Sequence, residues 1–394
     1  MKYIENDINN GIEYDWKILR KDFKALKIPK DVYDTSKNPF ETSYIFVDVS
    51  ERSVGKTTNW LLLGMLMYVR YGTIIQYIRQ NELMITPKNM KDLMETVKKF
   101  NYIEKITKGK YNDCIYKSRR WTFVHVNDKG EIDLIDNSHF MMSLSIDKSE
   151  IYKSSYNAPT GDLIIFDEFT SKHYSPDEFV YFLDLVKTIQ RERQSVKIVM
   201  LSNTLDEHNQ YFHELEIFGT ISKMNVGDKR DVITDGGTSI HINFIEPNLQ
   251  LKEKKSISNR LYYGFKNPKL NAITGLNGTW ALKNCQRIPK NKTYKSIDRH
   301  IYISHNNLIL NLEIVDIDEI GIAMYVHYAT FTYDDSIILT LDFIYDDIHK
   351  YKLGGKKLQK MILNMLDKNR IYYASNDVNS LFENYLKLCG FNFF

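Results

Sequence analysis

The sequence predicts an α/β protein with a mostly parallel sheet, followed by a linker and a smaller α+β domain. Three observations carry this. Apolar strand-like runs alternate with helical runs through the first 250 residues. One of these runs enters a tight turn and then a helix, in YIFVDVSERSVGKTT (Tyr44–Thr58). The last hundred residues place β-rich runs first and helices afterwards, the order of an α+β unit.

The chain has 394 residues, more than one core usually organises, so two domains are expected. The boundaries fall at residues 1–250, a linker or lid at 251–285, and a second domain at 286–394. Hydrophobic residues make up 43% and charged residues 26%, enough apolar material for sizeable cores. The net charge is only +3, so the total argues neither for nor against a nucleic-acid partner. Cys114, Cys285 and Cys389 are odd in number and scattered. They form neither a disulfide framework nor a metal pattern, and a reducing cytoplasm suits them. No run is long or apolar enough to span a membrane, and MKYIENDINN has no signal-peptide core.

Met1–Phe40 is polar, with an amphipathic piece at Trp16–Leu26. It is expected to pack beside a nucleotide and to reach the base. Tyr44–Val49 then reads as a buried strand, and Asn59–Tyr71 as a helix. Between them lies a phosphate-cradling loop, Ser50, Glu51, Arg52, Ser53, Val54, Gly55, Lys56, Thr57 and Thr58. Backbone N–H groups at such a helix start bind anions. Lys56 is placed to reach the β/γ-phosphates and Thr57 to ligate Mg²⁺. Ser50 stands where the first glycine of G-x-x-x-x-G-K-[ST] belongs, so the loop starts differently from the consensus.

Thr73–Arg79 reads as a second strand, and Pro87–Phe100 as a helix with Thr86 as N-cap. Leu93, Val97 and Phe100 are expected on its inner face. A basic stretch follows, in which Lys98, Lys99, Lys105, Lys108, Lys110, Lys117, Arg119 and Arg120 interleave with Phe100, Tyr102, Tyr111, Tyr116 and Trp121. It reads either as a DNA-facing surface or as a solvated hairpin, since Tyr111–Val126 suits paired strands. Ile132–Leu144 suits another short strand pair.

GDLIIFDEFT (Gly161–Thr170) is a buried-strand pattern ending in Asp167 and Glu168. A strand that delivers two carboxylates at its tip serves an ATPase: Asp167 for the metal shell, Glu168 for the attacking water. Ser175–Arg193 reads as a helix with Ser175 as N-cap, Pro176 in the first turn and Glu178 closing a capping box. Phe179, Phe182, Val186 and Ile189 form its core stripe. Val196–Leu201 is the next strand and ends at Asn203, either a sensor of the γ-phosphate or a turn former. Ile240–Ile245 is a last strand of this half, and Lys283–Arg299 a basic stretch. His300–Ile303, Leu308–Ile314, Gly321–Thr332 and Ser336–Ile344 are strand-like, and Lys357–Leu366 and Ser380–Leu388 helical.

The set of Arg52 in the loop, YKSSYNAP (Tyr152–Pro159) before FDEF (Phe166–Phe169), RER (Arg191–Arg193) ending a helix and LSN (Leu201–Asn203) ending a strand carries a resemblance. It resembles the DNA-packaging ATPases of small short-tailed, protein-primed bacteriophages, ring motors of the additional-strand P-loop class related to large terminases and FtsK/HerA translocases. The resemblance covers the first two hundred residues, and is faint beyond them. It implies ATP and Mg²⁺ held by Lys56, Thr57 and Asp167, Glu168 as catalytic base, and Asn203 as γ-phosphate sensor. It also implies Arg191, or alternatively Arg193, as an arginine finger acting on the neighbouring subunit, and Lys153 as a second trans-acting residue. As partners it implies double-stranded DNA, the phage portal and procapsid, and a homo-oligomeric, pentameric ring, with room for a structural RNA. It places the chain in the host cytoplasm, docked at the portal during packaging. The C-terminal domain is then ribonuclease H-like without nuclease activity; Asp316, Asp318, Asp342 and Asp346 are not shown by sequence to converge on metal ions. Two other readings stay open: a helicase or other P-loop translocase, and a non-hydrolysing, nucleotide-dependent portal scaffold.

Overall fold

The computed structural model describes residues 12–29, 32–50, 54–155, 160–170, 177–191, 193–203, 209–246, 285–305, 308–329, 332–333, 336–342, 344 and 346–391. Helix α1 (Trp16–Ala25) starts on Asp15, whose side chain accepts from Ile18 N–H. It lays Trp16, Leu19 and Phe23 against the first core. Strand β1 (Ile45–Ser50) leads into helix α2 (Lys56–Tyr71). β2 (Ile75–Arg79), α3 (Pro87–Lys99) and α4 (Tyr102–Thr107) follow. Next come β3 (Asp113–Lys117), β4 (Arg120–Val126), β5 (Ile132–Ile135), β6 (Met141–Ser145) and α5 (Ser149–Ser155). β7 (Leu163–Asp167), α6 (Glu178–Gln190) and β8 (Lys197–Asn203) complete the part that holds the motifs. Short helices α7 (Gln210–Glu214) and α8 (Phe218–Ile221) precede β9 (Lys229–Ile233) and β10 (Ser239–Phe244).

These strands form one sheet in the order β3-β4-β6-β2-β7-β8-β1-β10-β9, with β5 on β4. β6, β2, β7, β8, β1 and β10 run parallel. β8 lies between the loop-bearing β1 and the carboxylate-bearing β7, which is the additional-strand arrangement expected above. Parallel strands buried on both faces need continuous apolar runs, and β7 supplies one, with every residue buried. α2 is buried nearly all round from Asn59 to Met67. A Cβ on Gly64 would stand 2.5 Å from Ile75 and 2.9 Å from Leu163, so glycine lets the helix lie directly on β2 and β7.

α3 has the predicted Thr86 cap, with Oγ1 accepting from Asn89 N–H at 3.3 Å. Its buried face, however, is Met90, Met94 and Val97; Phe100 is 46% exposed because the helix ends before it. α6 begins at Glu178. The Glu178 carboxylate is buried and accepts from Gln80 Nε2 at 2.7 Å and Tyr211 OH at 2.8 Å. Ser175 and Pro176 lie outside the described residues.

The second sheet, in the order β15-β14-β11-β12-β13-β16, belongs to the C-terminal part. It comprises β11 (Tyr294–His305), β12 (Leu308–Ile317), β13 (Gly321–Tyr328), β14 (Ile337–Thr340), β15 (His349–Tyr351) and β16 (Ile371–Tyr373). β11, β12 and β13 are antiparallel, while β14 and β15 run parallel to β11. Helices α9 (Lys356–Asp367) and α10 (Asn376–Leu388) contribute Ile362, Leu381, Phe382 and Tyr385 to its core. Residues 247–284, most of the expected linker, lie outside the described residues.

Candidate nucleotide site

The carboxyl ends of β1, β7 and β8 meet at one edge of the sheet, where register pairs Ser50 with Asn203 and Asp167 with Leu201. They open into a cleft of about 350 Å³ lined by Val54–Thr58, Asp167, Glu168 and Leu201–Asn203. Such a crevice at strand ends is where α/β folds bind ligands. Gly55 caps α2 with φ 82°, a left-handed conformation that glycine adopts without cost. A Cβ there would lie 2.3 Å from Val32 Cγ1, so the position also excludes side chains by contact.

Lys56 is 7% exposed, and its ammonium donates to Ser50 Oγ. The serine in place of the first loop glycine is thus a partner of the loop lysine. Burial pushes the Lys56 ammonium down to about 8, against the opposing pull of Asp167, Asp48 and Glu168. Thr57 Oγ1 donates to Asp167 Oδ1 at 3.2 Å. The two hard oxygens, 110 residues apart in sequence, therefore share one position, and they fit a Mg²⁺ ion by donor type. Glu168 has φ 56° and its side chain is 47% exposed, turned out of the strand into the cleft. Glu51, Arg52 and Ser53 lie outside the described residues.

Sequence reasoning missed Arg79. It ends β2, next to β7, and its guanidinium reaches both carboxylates: Nη1 is 3.3 Å from Asp167 Oδ2 and Nη2 is 2.5 Å from Glu168 Oε2. Tyr77 OH donates to Asp167 Oδ2 at 2.7 Å; burial, then the Asp167 charge, holds that phenol well above its ordinary range. The available signal was a strand, TIIQYIR, closing on a cation at the same sheet edge as the motifs.

The loop is braced from behind. Tyr33 N–H donates to Val54 O at 3.1 Å and Asn59 Nδ2 donates to Tyr33 O at 2.5 Å. Buried Asp48 in β1 accepts from Trp60 Nε1 at 2.7 Å, Asn243 Nδ2 at 2.7 Å and Tyr33 OH at 3.1 Å. The N-terminal segment thus packs beside the loop, as expected from its place in the chain.

The remaining sequence-predicted residues lie elsewhere. α6 returns from the cleft edge to the opposite edge of the sheet, since β8 begins beside the start of β7. Arg191 follows its last turn, about 20 Å of helix from its start, and so lies far from Lys56 of its own chain. Arg193 is 5% exposed, and its Nε donates to Asp162 Oδ1 at 2.7 Å. That buried pairing is not the exposed geometry expected of an arginine that reaches a neighbour. Lys153 Nζ pairs with Glu150 at 2.6 Å and Asp184 at 2.9 Å, and these bonds raise it to about 12.

The basic stretch does not form one surface. Lys110 precedes β3 and Lys117 ends it, so Lys98–Lys110 and Lys117–Arg120 lie at opposite ends of a strand about 17 Å long. Tyr102, Tyr111 and Trp121 are at most 4% exposed and are core rather than stacking platforms. Lys98 pairs with Asp113 and Arg119 with Glu82.

Among the described residues no group of three His, Cys, Asp or Glu side chains is arranged to hold a metal ion. Asp318 accepts from Thr293 Oγ1 and Asp346 Oδ2 lies 2.6 Å from His349 Nδ1, on different elements. No described helix is long and apolar enough to cross a membrane.

The fold and the cleft define a P-loop nucleoside triphosphatase of the additional-strand class. Residues 42–242, just over half of the chain, match the family of the Podovirus DNA encapsidation protein (Gp16), and the chain belongs to that family. It is a viral DNA-packaging ATPase. A search among curated proteins finds no match. Among solved structures the chain is similar to the phi28 gp11 DNA-packaging motor, at 16% identity and a TM-score of 0.54, covering 89% of this chain and 96% of that one. It is also similar to the bacteriophage phi29 viral genome packaging motor assembly, at 17% identity and a TM-score of 0.52, covering 91% of this chain and 99% of that one. Both likenesses extend the shared fold over the C-terminal part.

Proposed function

We propose that the chain couples ATP hydrolysis to translocation of double-stranded DNA through a portal into the procapsid. The observation that carries this is the convergence of Lys56, Thr57, Asp167 and Glu168 in one cleft, with Thr57 Oγ1 3.2 Å from Asp167 Oδ1. Ser50–Thr58 wraps the triphosphate, and Lys56 sets its ammonium charge against the β/γ-phosphates. Thr57 and Asp167 hold Mg²⁺, which when bound neutralises phosphate charge. Glu168 orients and deprotonates the attacking water. Asn203, at the tip of β8, senses the γ-phosphate.

Arg191 completes the site of a neighbouring subunit in a homo-oligomeric ring, a pentamer by the resemblance above. Its position at the far edge of the sheet supports action in trans and argues against action in cis. Lys153 assists from α5. A finger placed on the neighbour stabilises charge on the transferring phosphoryl group and makes each hydrolysis depend on the next subunit. The domain limits are 1–250 for the motor, 251–285 for the linker and 286–394 for a ribonuclease H-like docking domain without nuclease activity. Phosphate contacts suffice for DNA grip, because packaging must accept every sequence. The protein works in the host cytoplasm at the portal, with or without a structural RNA.

The test is ATP hydrolysis with and without double-stranded DNA and empty procapsids, beside Lys56→Ala and Glu168→Gln. Stimulation by both additions, lost in both variants, is expected. Stimulation by DNA with indifference to procapsids would point to a general translocase instead. Nucleotide binding with no hydrolysis under any condition would leave a scaffold.

A further inference from the structure

The two arginines of the Arg191–Arg193 segment have opposite surroundings. Arg191 is exposed, with φ 50° and ψ −117°, a backbone region that L-residues occupy only where the surrounding structure over-determines it. The surroundings do so here. Arg191 N–H donates to Lys187 O at 2.8 Å, and Arg193 N–H donates to Gln190 O at 3.1 Å. Gln190 Nε2 donates to Arg193 O at 3.0 Å. The Arg193 guanidinium donates through Nη2 to Ile189 O at 2.8 Å and through Nε to Asp162 at 2.7 Å. Asp162 is fully buried and also accepts from Ser195 Oγ at 2.5 Å and Tyr14 OH at 3.0 Å.

A cation that merely complements a helix C-terminus can stay in water. Arg193 instead gives up solvent to tie the last carbonyls of α6 to the root of β7. The result is a fixed pedestal under an exposed arginine. We propose that Arg193, through Asp162, is a positioning residue that aims Arg191 at the neighbouring subunit's phosphates. This rests on the reading of Arg191 as a finger acting in trans. The physical reason is that a charge meeting a transferring phosphoryl group gains rate only when held in place beforehand, and misplacement by about 1 Å can cost on the order of 100-fold.

Mixed assemblies on procapsids test it. Lys56→Ala subunits keep the finger but lack the site; Arg191→Ala subunits keep the site but lack the finger. Mixed together, they are expected to regain hydrolysis that neither shows alone. A Lys56→Ala donor carrying Arg193→Lys keeps the charge but not the fork that bridges Asp162 and Ile189 O. It is expected to restore about tenfold less kcat with KM for ATP unchanged. Restoration equal to that of the parent donor overturns the positioning role. If the parent donor itself restores nothing, the trans finger fails, and the two failures are told apart. Should Arg193→Lys no longer fold or bind procapsids, a Lys56→Ala donor with Gln190→Ala, which removes one bond to the Arg193 carbonyl, decides by the same comparison.

Discussion

Arg79 Nη2 lies 2.5 Å from Glu168 Oε2, while Nη1 of the same guanidinium lies 3.3 Å from Asp167 Oδ2. One cation from β2 therefore spans the two carboxylates that end β7, and it is only 15% exposed. Without it, the two adjacent carboxylates at the tip of β7 would lose the guanidinium they share. Arg79→Met is expected to lower kcat for ATP by about tenfold or more, because Glu168 loses the group that aims it. Nucleotide affinity is expected to stay within about threefold, because Lys56 and the loop are untouched. Steady-state kinetics beside a direct binding titration checks the split; a change confined to affinity would contradict it.

Gly55→Ala places a methyl group 2.3 Å from Val32 Cγ1 at a φ of 82°. Both the contact and the conformation oppose the substitution. Loss of measurable nucleotide binding is expected, with the fold otherwise retained by circular dichroism. Binding at the parent affinity would show that the loop relaxes without cost.

The lowered proton affinity of Lys56, about 8 in the free protein, makes nucleotide binding pH-dependent. Phosphate oxygens favour the ammonium form, so binding takes up a proton as pH passes through and above 8. Affinity is expected to fall as pH rises from about 8 towards 10. Folding has the opposite sign: the unfolded lysine holds its proton to higher pH, so this group's contribution to stability rises over the same window. Calorimetry in buffers of different ionisation enthalpy measures the uptake, and a proton count near zero at pH 9 would exclude Lys56 as its source.

Asp48 holds three donors in a buried site: Trp60, Asn243 and Tyr33. Asp48→Ala leaves all three without that acceptor directly behind the loop. A loss of roughly 3–5 kcal/mol is expected, with Asp48→Asn milder because one acceptor oxygen remains. Denaturant titration reads both; an unchanged midpoint for Asp48→Ala would mean that water or a neighbour replaces the carboxylate.

The Lys153 pairs with Glu150 and Asp184 are exposed, and surface pairs contribute little to folding. Lys153→Met is therefore expected to move the thermal midpoint by less than about 2 °C, while it reduces hydrolysis in assembled motors if Lys153 serves the neighbouring site. A large stability loss with unchanged assembled activity would reverse that assignment.

Much of this molecule is determined by its sequence alone, wherever the signal is local. Tyr44–Thr58 specifies a strand, a loop and a helix because period, glycine and anion-binding residue types are read over fifteen neighbouring positions. Leu163–Phe166 specifies a buried strand, and Asp167 and Glu168 follow at its tip for the same reason. The Thr86 cap of α3 is equally legible, because it depends on contacts three residues apart.

What only the tertiary structure decided depends on elements distant in sequence. Arg79 becomes a partner of Glu168 because β2 lies beside β7 in the sheet, and no local pattern carries strand order. Arg193 is buried against Asp162 across 31 positions, so its identical charge to Arg191 conceals an opposite environment. The basic stretch divides because β3 carries its two halves to opposite ends of one edge strand. Glu178 meets Gln80 and Tyr211, 98 and 33 positions away in the chain. For Arg79, Arg193 and Glu178 the deciding energy is desolvation: a charge removed from water must find a partner, and which partner it finds is set by how the chain folds back on itself.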